Sequence, residues 1–196
     1  MPNQLKAGAI LTYVTLFLNS AIGLIYTPFL TLKLGQAEYG LYSLVASVVG
    51  SLTVLDFGFG NALIRYTAKL RAEKKEQKLK EMYGMFFIIF CGIALLALII
   101  GMVVYFNTEN IFSQNMTSEE LRKMKIMLLL MVFNLCFTFV MSVYRSIIVA
   151  YERFVFQKVI NLIRIVLNPL VMVIFLLFGY KAITMVVLQT IFNVLT

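Results

Sequence analysis

The sequence predicts an all-α, polytopic membrane protein: a bundle of about six transmembrane helices with its N-terminus on the cytoplasmic side. Three observations carry this expectation. Of the 196 residues, 61% are hydrophobic and only 13% charged, with a mean hydropathy of +0.92. Soluble domains are about 45–50% apolar and about a quarter charged, so a water-soluble core of this length could not hide so many apolar side chains. The apolar residues also fall in long runs that are apolar on nearly all sides. Such runs suit the roughly 20 helical residues needed to cross a ~30 Å hydrocarbon core, not the alternating segments of about 10 residues in membrane β-barrels. Finally, Lys and Arg are unevenly shared between alternate connections, eleven on one side and five on the other. The positive-inside rule assigns the richer side, which includes Lys6, to the cytoplasm.

The elements follow in order. Span one covers residues 8–32, with Pro28 expected to kink its far end. A short turn at Gly35-Gln36-Ala37-Glu38 leads to span two, residues 39–63, whose end is loosened by Asp56-Phe57-Gly58-Phe59-Gly60-Asn61. A strongly charged stretch from Arg65 to Glu81 reads as a solvated amphipathic helix whose lysines rest on anionic headgroups. Span three is residues 83–106. The polar connection Asn107 to Glu120 ends in Thr117-Ser118-Glu119-Glu120, whose spacing predicts a capping box starting a helix. Span four is then residues 121–149, a tight turn at Tyr151-Glu152-Arg153-Phe154 follows, and span five is residues 156–178. After a second turn at Gly179-Tyr180-Lys181, span six begins near Ala182. Thr196 comes before a full crossing, so the chain is expected to be a truncated one, residues 1–196 forming one N-terminal bundle. The N-terminal apolar run is longer than a signal-peptide core and is read as a permanent span.

Several chemistries lack raw material. The sequence has no His, which removes the usual zinc and triad ligands. Its two cysteines, Cys91 and Cys136, sit far apart within apolar runs and read as small buried hydrophobes. No P-loop motif is present, and no cofactor is expected. The net charge of +8 lies mostly between spans, which suits a membrane surface and not nucleic acid. Asn115-Met116-Thr117 matches an N-glycosylation sequon on the expected outer face, a short pattern that arises readily by chance.

Polar residues inside the spans carry the functional information. Gln157, Asn161, Arg164 and Asn168 are spaced four, three and four apart, which places them on one helix face. Asn134, Thr138, Ser142 and Arg145 line up likewise, as do Thr12, Thr15, Asn19 and Tyr26. Ser, Thr and Asn stripes commonly join helices to one another, and the span-one stripe has that plain reading. An arginine near the bilayer centre costs at least about 2.5–3.5 kcal/mol, so Arg164 is expected to face a cavity. Arg145, nearer the cytoplasmic end, either lines the same cavity or snorkels to headgroups. Asp56, the one acid inside a span, either pairs with an arginine or binds a coupling proton or Na⁺. Together the stripes predict a wet, cationic cavity suited to a phosphorylated amphiphile.

Three segments also resemble one family: Leu34-Gly35 through Glu38-Tyr39-Gly40-Leu41-Tyr42, Asp56 through Tyr66, and Tyr151-Glu152-Arg153-Phe154. They look like the N-terminal half of bacterial polysaccharide-biosynthesis flippases, the Wzx-type O-antigen and capsule transporters of the multidrug/oligosaccharidyl-lipid/polysaccharide exporter superfamily. The resemblance implies two six-helix bundles facing a central cavity in the inner membrane. It implies alternating access that carries undecaprenyl-pyrophosphate-linked oligosaccharide to the outer leaflet, with cavity arginines gripping the pyrophosphate. On that basis the expected substrate contacts are Arg164, Arg145, Asn161, Asn168, Asn134 and Asn19, with Asp56 as the ion-coupling candidate. The partners are the lipid-linked oligosaccharide, membrane lipids, and a missing C-terminal bundle or a second copy. A multidrug cation exporter of the same superfamily would prefer acidic residues in its cavity. A membrane assembly subunit would use the stripes only for docking. An enzyme acting on polyprenyl phosphates would need more acidic or His ligands than one intramembrane Asp.

Overall fold

The computed structural model describes the backbone of residues 2–112, 116–151 and 154–195, and the side chains of residues 10–112, 116–151 and 158–194. Those residues form seven α-helices and one 3-10 turn: α1 (Pro2–Leu34), α2 (Gln36–Leu52), the turn Thr53–Asp56, α3 (Phe59–Ala72), α4 (Glu76–Phe112), α5 (Ser118–Ala150), α6 (Phe154–Leu177) and α7 (Ala182–Leu195). Five stretches are long and apolar enough to cross a bilayer, Ile10–Leu34, Gln36–Ala72, Glu76–Phe112, Ser118–Ala150 and Lys158–Leu177. The expected sixth span is a shorter apolar helix, Ala182–Val194. Large apolar side chains point outward along these helices, with Leu24 76%, Ile88 72% and Phe106 74% exposed. Such a surface is stable against hydrocarbon and not against water.

The chain divides into two compact units, residues 1–43 with 153–196, and residues 44–152. In the first, α1 packs along α6, and α7 follows α6. Leu30, Met172, Leu176 and Met185 form its core, with Tyr26, Phe29, Leu34 and Tyr39 packed around them. The α6–α7 connection shows how local sequence stops a helix. Gly179 takes φ +86°, its N–H donates to Leu176 O at 3.1 Å, and the Tyr180 N–H donates to Phe175 O at 3.2 Å. Those two bonds satisfy carbonyls the helix end would leave bare, and the Phe175 and Tyr180 rings close the motif at 5.5 Å. Pro28 does not end α1, which continues to Leu34. Pro169 lies inside α6, where its missing N–H leaves the Ile165 carbonyl without a helical partner.

In the second unit α4 and α5 form the main packed pair, joined by α3 along α5. The buried face of α4 includes Phe86, Phe90, Ala94, Ala97 and Gly101, at spacings of three or four. The small residues let the two backbones approach. A Cβ on Gly101 would lie 2.6 Å from Val132 Cγ2 of α5, and the Cys136 thiol donates to Ala94 O at 3.2 Å. Both cysteines are free thiols, as their apolar setting suggests.

Several boundaries differ from the sequence reading. The charged stretch from Arg65 to Glu81 is not one surface helix: α3 ends at Ala72 and α4 begins at Glu76. α4 has 37 residues, about 55 Å at 1.5 Å each, far more than a hydrocarbon core requires. Polarity along this sequence marks where the bilayer ends, while the helix runs on. The α5 start is as the spacing predicts. The Glu120 N–H donates to Thr117 Oγ1 at 3.4 Å, and the Thr117 N–H donates to Glu120 Oε2 at 2.8 Å. The sequon residue Asn115 and the turn residues Glu152 and Arg153 lie outside the described residues.

The α4–α5 contact yields a test. Gly101→Ala should lower the thermal unfolding midpoint of the detergent-solubilised protein, since overpacking typically costs about 1–3 kcal/mol. The double variant Gly101→Ala, Val132→Ala should recover most of that loss.

Candidate functional site

The polar stripes divide between the two units. Arg164, Asn161, Asn168 and Asn19 belong to the first, and Arg145, Asn134 and Asp56 to the second. Arg164 is the eleventh of the 24 residues of α6, about 15 Å from its start. It is half-buried, and its Nη2 donates to Asn193 Oδ1 of α7 at 2.9 Å. Asn161 is half-buried one turn away, and Asn168 Oδ1 is buried without a hydrogen-bond partner in the described structure. Asn19 is exposed. The Gln157 side chain lies outside the described residues.

Much of the remaining stripe chemistry stays within its own helix. Thr15 Oγ1 donates to Leu11 O at 2.6 Å, Thr138 Oγ1 to Asn134 O at 2.9 Å, and Ser142 Oγ to Phe139 O at 2.7 Å. A hydroxyl that bonds back to its own helix has spent its donor there. Tyr26 donates to Met172 Sδ at 3.1 Å, tying α1 to α6. Of the span-one stripe, Tyr26 thus reaches another helix while the Thr15 hydroxyl stays within its own.

Arg145 is exposed and lines a cavity of ≈ 270 Å³ with Asp56, Gly60, Asn61, Ile64, Ser146 and Val149. The sequence reading placed Arg145 and Asp56 in the site without joining them; the fold sets them around one cavity. It missed Ser146, which is 6% exposed. Its signal was available: Ser142 and Ser146 are four apart, on a face next to Arg145. Gln189 and Asn193 on α7 were likewise overlooked, although they too are four apart in an apolar run.

The segment Glu38-Tyr39-Gly40-Leu41-Tyr42 has a structural role. Glu38 Oε2 accepts from the Ala182 N–H at 3.3 Å, capping α7 from another helix, and Lys181 Nζ lies 3.8 Å from Glu38 Oε1. Leu41 is buried, and the Tyr42 hydroxyl donates to Gln189 Oε1 at 3.3 Å. This stretch thus anchors α7. In the second unit Arg71 makes a comparable tether: its Nη1 donates to Ala150 O at 3.0 Å and its guanidinium lies 4.0 Å from the Tyr151 ring centre.

Helices of this length with arginine, asparagine and carboxylate side chains inside their spans define a multi-pass α-helical membrane protein with polar intramembrane sites. The family model described as "Polysaccharide biosynthesis protein" matches residues 5–196, and the chain belongs to that family. Membership places it in polysaccharide synthesis or export. Neither curated proteins nor solved structures gave a match.

The Glu38 cap can be checked by hydrogen exchange. Glu38→Ala should speed amide exchange in the first turn of α7, consistent with a lost cap of about 1 kcal/mol. Glu38→Gln, which keeps an acceptor oxygen, should stay close to wild type.

Proposed function

We propose that the chain is one bundle of an inner-membrane flippase, not an enzyme, that moves undecaprenyl-pyrophosphate-linked oligosaccharide from the inner to the outer leaflet. The observation that carries this reading is the family match over residues 5–196 in a chain whose Arg145 guanidinium opens on a cavity within membrane-crossing helices. Guanidinium groups pair with phosphate oxygens by two parallel hydrogen bonds, and burying one in a span is too costly without such a role or a partner. Arg145 and Arg164 are each assigned a phosphate contact. Asn161, Asn168, Asn134 and Asn19 supply neutral contacts for the sugar–phosphate head, and Asp56 is the candidate for coupling to a proton or Na⁺. The opposing half of the transporter is a C-terminal bundle or a second copy of this one.

The test is genetic. Arg164→Ala and Arg145→Ala, each present in the membrane at normal levels, should lower surface polysaccharide about tenfold or more, the loss expected for a charge-assisted phosphate contact. Wild-type polysaccharide in either variant removes that arginine from the mechanism. Wild-type levels in both, together with export of organic cations from cells, would favour the drug exporter.

A further inference from the structure

The end of α4 and the start of α5 enclose a second polar cavity, remote from Arg145. Tyr105 and Glu109 of α4 face Ser118, Arg122, Lys125 and Ile126 of α5 around ≈ 610 Å³, within the range of small-molecule pockets. Arg122 and Arg145 stand at opposite ends of α5, about 35 Å apart along its axis. The Lys and Arg distribution assigns this end of the pair to the outer side, where positive charge is disfavoured. Even so, Arg122, Lys123 and Lys125 crowd together there. Lys123 pairs with Glu119 at 2.9 Å and Lys125 with Glu109 at 2.6 Å, whereas Arg122 meets no carboxylate among the described residues. Arg122 is exposed at the cavity mouth and leaves the lining with an excess positive charge. The first α5 turn is already met by the Thr117–Glu120 capping box, so this charge comes from side chains.

The second observation is an apolar cleft that continues from this cavity, with Tyr105 lining both. Buried Gly101, Leu128 and Val132 and outward-facing Met102, Leu129 and Phe133 surround ≈ 230 Å³, with no polar side chain except that of Tyr105. Leu98, Met102, Tyr105 and Glu109 are spaced four, three and four apart, which sets cleft and cavity along one face of α4. From Leu98 to Glu109 the helix rises about 17 Å, close to half of a ~30 Å hydrocarbon core. Lys125 marks the junction, its ammonium 5.8 Å from the Tyr105 ring centre. Tyrosine and lysine settle at such a boundary, with apolar bodies in hydrocarbon and polar tips among headgroups. The groove is therefore apolar for the depth of one leaflet and cationic at its mouth.

We propose that this α4–α5 groove seats one anionic phospholipid of the outer leaflet, its headgroup against Arg122 and Lys125 and an acyl chain in the cleft beside Gly101. Charge complementarity selects the headgroup, because a guanidinium and an ammonium at the mouth suit an anionic phosphodiester. A zwitterionic phospholipid gains less, since its choline meets the same positive charge. The depth of the cleft selects a membrane lipid over a free anion, which would leave the apolar part empty. Glu109 is the acceptor-only group in the lining and opposes an anion, and its bond to Lys125 holds part of that lysine's charge. The site uses neither Arg145 nor Arg164 and stands apart from the flippase reading.

The experiment titrates the whole chain in detergent micelles with phosphatidylglycerol or phosphatidylcholine and counts bound lipid by native mass spectrometry. Wild type should bind its first phosphatidylglycerol about fivefold more tightly than phosphatidylcholine, the factor for one basic residue near an anionic headgroup. Arg122→Gln should abolish that preference, while Lys123→Gln, the same charge change outside the cavity lining, should keep it. Leu129→Trp, which fills the cleft from its exposed side, should weaken the first adduct several-fold with unchanged circular dichroism. Glu109→Gln should tighten phosphatidylglycerol several-fold by freeing Lys125, a gain that misfolding does not produce. Glycerol phosphate, a headgroup without chains, should not displace the lipid. Equal loss in Arg122→Gln and Lys123→Gln reduces the effect to surface charge and overturns the site. So does a preference that survives Arg122→Gln, full binding in Leu129→Trp, weaker binding in Glu109→Gln, or displacement by glycerol phosphate. A wild-type dimer that Leu129→Trp dissociates puts a second copy in the groove and overturns it as well.

Discussion

Inside a bilayer no water is available to satisfy a backbone N–H or C=O, and every feature of this protein answers to that constraint. It forces helices and makes each helix end a place where donors or acceptors must find partners. The chain meets the demand in several ways. At Gly179 a left-handed residue lets the chain fold back on its own carbonyls. At Thr117 a hydroxyl and the Glu120 carboxylate exchange bonds with the backbone. At α7 the carboxylate of Glu38 arrives from another helix. The starts of α2 and α3 instead follow the left-handed Gly35 and Gly58, which bring no side-chain acceptor to the first turn.

The same economy explains why polar residues in the spans are not of one kind. Thr15, Thr138 and Ser142 return their hydroxyls to nearby carbonyls and cost the membrane little. Asn and Arg carry too many hydrogen-bonding groups for that solution. Arg164 reaches across to Asn193, and Arg145 opens on a cavity. Capacity to be satisfied locally, more than polarity itself, separates side chains that stay within their own helix from those that reach beyond it. The residues behind the family resemblance divide similarly. Glu38, Leu41 and Tyr42 hold α7, whereas Asp56, Gly60 and Asn61 line the cavity.

Helix association in lipid cannot rely on hiding apolar surface, since the surroundings are equally apolar. Close fit must supply the attraction. Gly101 against Val132 and Ala94 against Cys136 are the places where α4 and α5 come near enough for dispersion and a thiol–carbonyl bond to act. Periodicity hinted at none of these contacts, because α4 is apolar on nearly every face.

The sequence by itself determined the class, the helical content, the α5 capping box and the segments that carry the family. Each depends on composition or on residues close together in the chain, where 100° per residue and the length of a bilayer are sufficient rules. It misjudged the helix ends, because α4 runs through the polar boundary at both termini. Only the tertiary structure decided that Asp56 and Arg145 share one cavity, that Ser146 lines it with them, and that Glu38 caps a helix 144 positions later. Such pairings follow from which faces of distant helices meet, and a helix that is apolar all round does not encode its facing partner in its periodicity.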